Sequence, residues 1–302
     1  MQERNAETFT GERAMFEAKG INFTNCIFED GESPLKHSSN LKLNECVFAY
    51  KYPLWYASDI TLNGGYLEPL ARAGMWYSTN LSFKDVLINA PKSFRKSLQI
   101  SLENVNFSDA AETLWGCADV KIKNVFAKGD YFGANSENLE VDGLSLDGNY
   151  CFDGCKNLRI TNSKLISKDA FWNCENVIAQ NCLISGEYLA WNAKNVTLIN
   201  CTIKSLQALC YVENLVVKDC IFMDTSLAFE YSSVDVSTKS CIKSVKNPKS
   251  GVIRAGKIEE IIIASRLSLC KMQFGRLGHL VQGFLGKEVQ ILFLFSQVYL
   301  TV

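Results

Sequence analysis

The stretch NLRITNSKL (157–165), followed by NVIAQNCLI (176–184), NVTLINCTI (195–203) and NLVVKDCIF (214–222), decides the fold of this 302-residue chain. Each segment opens on Asn, runs apolar, polar or β-prone, apolar, then reaches a turn residue and alternates again. Period two is the strand period, because successive side chains of a strand point to opposite faces. The segments start at 157, 176, 195 and 214, a spacing of 19 residues.

Worked outward, the same ruler starts units at Gly20, Asn40, Asp59, Asn80, Gln99, Asp119 and Asn138 before this stretch and at Ser233 after it, in steps of 19 to 21 residues. With the first residue as position zero, position +1 is Ile, Leu or Val in all twelve units and +3 is apolar in all twelve. Position +8 is apolar and −5 is uncharged throughout, while +5 is Asn, Asp, Gly or Glu in eleven units, as a turn that tolerates left-handed backbone requires. Each unit thus supplies three short strands separated by turns, with no helical periodicity between them. Units of this length that cannot bury a face alone stack into a solenoid. The expected fold is all-β, a single-chain parallel β-helix of about twelve coils, about 57 Å long at one strand spacing per coil. A leucine-rich repeat would share the first strand but leave the other apolar columns unexplained, and pentapeptide repeats do not fit a 19-residue step.

Composition narrows the function. Lys plus Arg total 31 against 32 Asp plus Glu, a net charge of −1, which offers no footprint for nucleic acid or an anionic membrane. Two histidines, His37 and His279, are too few for a multi-His metal centre or a His-based triad, so no metal and no cofactor is expected. Eight of the twelve cysteines fall in two inward columns, Cys26, Cys46, Cys182, Cys201 and Cys220 at +6 and Cys117, Cys155 and Cys174 at −2, where small thiols suit a narrow core. The N-terminus lacks the apolar segment of a secretory signal and no apolar run is long enough to span a bilayer, so the expected compartment is the cytoplasm.

Position −4 carries the functional expectation. All five tryptophans, Trp55, Trp76, Trp115, Trp172 and Trp191, lie in this one column, along with Arg95 and Asp153. Since −5 faces the core, alternation turns −4 outward, and an exposed tryptophan stripe exceeds what solubility needs. Tyr131, Tyr150, Lys168, Glu187 and Tyr188 flank it at −7 and −8, with Asn173 at −3. Aromatic faces edged by carboxylates, amides and hydroxyls suit an oligosaccharide, which makes these the expected substrate-binding residues. Glu112, Asp130, Asp153 and Asp169 are the candidate catalytic carboxylates, because an inverting glycoside hydrolase needs an acid and a base spaced about 6.5–9.5 Å apart. A lyase would instead draw its base from Arg95, Lys128 or Lys168. The competing expectation is a non-catalytic scaffold or protein-interaction rod whose stripe docks a protein partner.

Several segments on this strip resemble a known family: Gly31-Glu32-Ser33-Pro34-Leu35-Lys36, Lys51-Tyr52-Pro53-Leu54-Trp55-Tyr56, Asp109-Ala110-Ala111-Glu112-Thr113-Leu114-Trp115, Lys128-Gly129-Asp130-Tyr131-Phe132, Asp147-Gly148-Asn149-Tyr150, Lys168-Asp169-Ala170-Phe171-Trp172-Asn173 and Gly186-Glu187-Tyr188-Leu189. They are similar to the bacterial domain-of-unknown-function family 3737, from about residue 8 to residue 264. The resemblance implies a right-handed, pectin-lyase-like β-helix and no assigned activity. It places the β-helix domain at 1–264. Residues 265–302 lose the period and read either as a C-terminal cap or as non-native sequence such as the product of a frame shift.

Overall fold

The computed structural model describes residues 1–263, 289–294 and 297–301, and in these it contains strands and turns with no α-helix. The strands stack in parallel, each coil directly on the last. Val120 pairs with Leu139, Leu139 with Leu158, Leu158 with Val177, Val177 with Val196 and Val196 with Leu215, so the +1 column pairs with itself. This register follows from the pattern, because a one-residue slip would turn every apolar side chain outward.

The turn residues explain the asparagines. Position zero adopts positive φ at Asn138, Asn157, Asn176, Asn195 and Asn214, between 52° and 60°, and position +5 does so at Asn162, Asn181 and Asn200. Left-handed backbone costs most residues about 1–2 kcal/mol and costs Asn less, since its short polar side chain bonds locally. The amides also join the coils. Asn176 Nδ2 donates to Asn157 Oδ1 at 2.8 Å and Asn195 Nδ2 to Asn176 Oδ1 at 2.8 Å, continuing to Asn214 at 3.0 Å. A second ladder runs from Asn200 to Asn181 to Asn162.

The expected inward columns are buried, among them Leu158, Ile160 and Leu165 and the −5 residues Leu54, Met75, Phe94, Leu114, Phe152 and Phe171. Phe94, Phe107, Phe132, Phe152 and Phe171 form a chain of ring contacts along the core, with centroids 6.0 to 6.4 Å apart. Ten cysteines are buried and unbridged, Cys241 is half-buried, and Cys270 lies outside the described residues.

The solenoid has about fourteen coils, two more than the apolar columns register. Gln2–Asn5 pairs in parallel with Ile21–Thr24, forming a coil ahead of Gly20. Its inward positions hold Gln2, Arg4 and Glu7, and Arg4 Nη1 meets Glu7 Oε2 at 3.4 Å. An end coil with one open side can carry polar residues where an inner coil cannot, which hides it from a hydrophobic ruler. At the far end Ser250–Ala255 stacks on Ser233–Ser237 after a step of only 17 residues, Ser233 to Ser250. Val289–Leu294 then pairs antiparallel with Gly251–Ala255, and Gln297–Thr301 antiparallel with that strand, so the backbone of the C-terminal segment lies on the edge of the last parallel coil.

Candidate functional site

The −4 column is built into a seam of rings running along the rod. All five tryptophans are half-buried. Four of them donate their indole N–H to a backbone carbonyl of the next coil: Trp55 to Ala73 at 2.5 Å, Trp76 to Lys92 at 2.7 Å, Trp172 to Tyr188 at 2.6 Å and Trp191 to Gln207 at 2.8 Å. The polar edge of each ring is therefore satisfied by the chain itself, and the ring is held in one orientation.

Trp55 stacks on Trp76 at 5.3 Å and 9°, and the Arg95 guanidinium follows, 4.7 Å from the Trp76 ring and 5.3 Å from that of Trp115. Lys36 stands over Trp55 and Tyr56. In the next two coils the −4 residues are Ala134 and Asp153, and Tyr131 and Tyr150 of the −7 column continue the seam. Trp115 lies 5.7 Å from Tyr131, Tyr131 stacks on Tyr150 at 4.8 Å and 7°, and Tyr150 meets Trp172 at 83°. Trp172 then stacks on Trp191 at 5.9 Å and 13°. Parallel rings touch at about 3.5 Å, so a centroid separation of 5.9 Å means an in-plane offset of about 4–5 Å. Each indole overlaps only part of its neighbour, and the Tyr188 ring packs against both, 5.1 Å from Trp191 and 6.3 Å from Trp172.

Tyr211 and Tyr231 extend the seam past Trp191. A shorter parallel stack runs through His37, Tyr56 and Tyr77 at 5.1 Å steps, and Tyr52 packs on Trp55 at 4.5 Å. His37, Tyr52, Tyr56, Tyr77, Tyr211 and Tyr231 were not expected at the site. Tracing aromatics down −3 as well as −4 would have found His37, Tyr56, Tyr77 and Tyr211.

The candidate carboxylates separate by environment. Glu112 takes a hydrogen bond from Arg95 Nη2 at 2.7 Å and an ion pair from Lys92 at 3.0 Å. Burial alone would raise its pKa, but these partners outweigh burial and hold the carboxyl below its ordinary range, so it suits the role of counter-charge better than that of proton donor. Asp130 accepts the Asn149 amide N–H at 2.7 Å, and Asp153 accepts from Asn173 Nδ2 at 2.9 Å, itself joined to Asn192. Lys168 pairs with Glu187 at 3.6 Å and lies over the Tyr188 ring.

Asp169 differs from all of these. It is 1 % exposed, and its Oδ2 has no hydrogen-bond partner. Burial raises its pKa; Lys168 opposes that, and Glu187 and Asp153 add to it. The expected site residues thus fall into two groups. Trp55, Trp76, Arg95, Glu112 and Trp115 form one, closed on itself by the Arg95–Glu112 pair. Asp130, Tyr131, Tyr150, Asp153, Lys168, Asp169, Trp172, Asn173, Glu187, Tyr188 and Trp191 form the other, on consecutive coils. Among the described residues no cluster of three or more His, Cys, Asp or Glu side chains is arranged to hold a metal ion.

Fold and seam together define a parallel β-solenoid stiffened by a ladder of aromatic rings. The chain belongs to a family described as a protein of unknown function, DUF3737, which it matches over residues 2–272. No curated protein matches it. Among solved structures it is similar to PfbA, a surface adhesin of Streptococcus pneumoniae, at 9% identity and a TM-score of 0.31, covering 93% of this chain and 77% of that one. It is also similar to the A-module of the Azotobacter vinelandii mannuronan C-5 epimerase AlgE4, at 10% identity and a TM-score of 0.31, covering 93% of this chain and 89% of that one. Likenesses this distant lend no weight to any activity.

Proposed function

We propose that the protein is an oligosaccharide-binding rod whose binding face is the seam from Tyr131 to Trp191. One observation carries this reading: the indoles are fixed by hydrogen bonds to backbone and stacked in a row, yet each stays only half-buried, so an ordered line of rings reaches the surface. Sugar rings present flat C–H faces to aromatic rings, and a platform already ordered in the free protein spends little entropy on binding. Asn173, Asn192, Lys168, Glu187 and Tyr188 edge that platform with groups able to bond sugar hydroxyls.

The same geometry favours binding over chemistry. Three of the four candidate carboxylates, Glu112, Asp130 and Asp153, already have partners within the chain. The second reading, a scaffold for a protein partner, is favoured by the length of the ring ladder, which ties each coil to the next over most of the rod. Tryptophan fluorescence titrated with neutral and charged oligosaccharides separates the two. A saturable change that Trp172→Phe preserves and Trp172→Ala weakens at least tenfold supports the glycan reading. No response to any oligosaccharide refutes it in favour of the protein partner.

A further inference from the structure

The seam already holds cations. The Arg95 guanidinium lies between Trp76 and Trp115 with Glu112 as its counter-charge, and the Lys36 ammonium sits over Trp55 and Tyr56. Ring faces attract positive charge through their quadrupole, most strongly where water is displaced. Farther along, Tyr131, Tyr150 and Trp172 continue the ladder without a cation of their own. The charged groups around them are Asp130, Asp153, Asp169 and Glu187 against Lys168, and Lys168 is engaged with Glu187 and the Tyr188 ring.

Asp169 is an independent observation that points to a ligand. It is buried, lacks a partner for Oδ2, and lies electrostatically among Lys168, Glu187 and Asp153. An ammonium group placed over this segment would be attracted by the Asp153, Asp169 and Glu187 carboxylates, whereas a uronate would add a further negative charge.

We propose that the segment from Tyr131 to Tyr188 binds an amino sugar, its ammonium group against the Tyr131, Tyr150 and Trp172 rings, with Asp153 as the contacting carboxylate and the buried Asp169 adding charge. This rests on the oligosaccharide-binding reading and names its ligand class. The test is calorimetric titration of the full chain with a glucosamine tetramer, its fully N-acetylated counterpart and a galacturonate tetramer, in one buffer at pH 6. The glucosamine tetramer should bind at least tenfold tighter than the acetylated one. Asp153→Asn and Asp169→Asn should each remove most of that preference, while Glu140→Gln, an equal charge change on another face, should leave it intact. Added salt should narrow it. Equal binding of the neutral and cationic tetramers, or tighter binding of the galacturonate, overturns the amino-sugar assignment and leaves oligosaccharide binding standing. Equal competition by spermidine overturns it as well, by showing that a bare cation suffices. Binding of none of the three overturns the amino-sugar assignment, and the fluorescence titration with the wider oligosaccharide panel then decides the oligosaccharide reading itself.

Discussion

Asp169→Asn gives the sharpest test of the electrostatic picture, because it keeps the shape of a side chain that is 1 % exposed and removes only its ability to ionise. Burial raises the folded pKa of Asp169 above its ordinary value of 3.8, and Lys168 does not cancel the effect. Between the unfolded and folded pKa the native chain holds a proton that the unfolded chain has released. Native stability therefore falls as pH rises through that window and stays lower above it. Below that window the carboxyl is protonated in both states, and the wild type should approach the Asn variant. By pH 7 the variant should be the more stable, by up to about 1–3 kcal/mol, the cost of an unpartnered buried polar group. Each kcal/mol corresponds to about 2–4 °C in Tm for a chain of this size or somewhat smaller. The assay is thermal or urea unfolding of both chains at half-unit steps from pH 4 to 7, followed by intrinsic fluorescence. Stability curves that stay parallel across the range, or a wild type that gains on the variant as pH rises, would refute the assignment of Asp169 as an uncompensated carboxyl.

Gly148→Ala should cost more than about 3 kcal/mol or prevent folding, since its Cβ would lie 2.0 Å from the Gly129 carbonyl oxygen; Gly20→Ala, with φ of 65° and open space, should cost only about 1–2 kcal/mol, and equal Tm losses would contradict the difference. Asn176→Ala removes one rung of the amide ladder in both directions and places Ala at φ of 60°, so chemical denaturation should show a loss of about 2–3 kcal/mol, with Asn176→Gly recovering the backbone part. A thiol reagent at pH 8 should label half-buried Cys241 first and leave the ten buried thiols unreacted until denaturant is added, Cys117 and Cys151 being pushed up to about 12 by burial; rapid native labelling of all of them would show that the core opens. Acidification should weaken the Glu112 pairs, so stability contributed by that carboxylate is present at neutral pH and lost as pH falls through its lowered folded value, an effect that Glu112→Gln abolishes.

The repeat was legible because a solenoid places chemically equal positions on top of each other. Leu158, Val177 and Val196 are a column in the sequence and a ladder of paired strands in the fold. The asparagines of positions zero and +5 were legible for the same reason, since every coil must turn with the same left-handed backbone. The first coil escaped the ruler because Gln2, Arg4 and Glu7 face an open end and need not be apolar. The tryptophan column was legible as a column, but not what its rings do. Periodicity shows which way a Cβ points. It does not show that Trp172 folds over to reach the Tyr188 carbonyl, nor that Tyr131 and Tyr150 cross from −7 to bridge the coils of Ala134 and Asp153.

By itself, then, the sequence determined the all-β solenoid, its 19-residue coil, its buried columns and the strip on which unusual chemistry collects, because each depends on local turn preference and on the two-residue strand period. Only the tertiary structure decided which of four similar carboxylates is unlike the rest. Glu112, Asp130 and Asp153 found partners on neighbouring coils and Asp169 did not, and that difference arises from side-chain reach across a spacing of about 4.8 Å between coils, which a linear pattern does not contain.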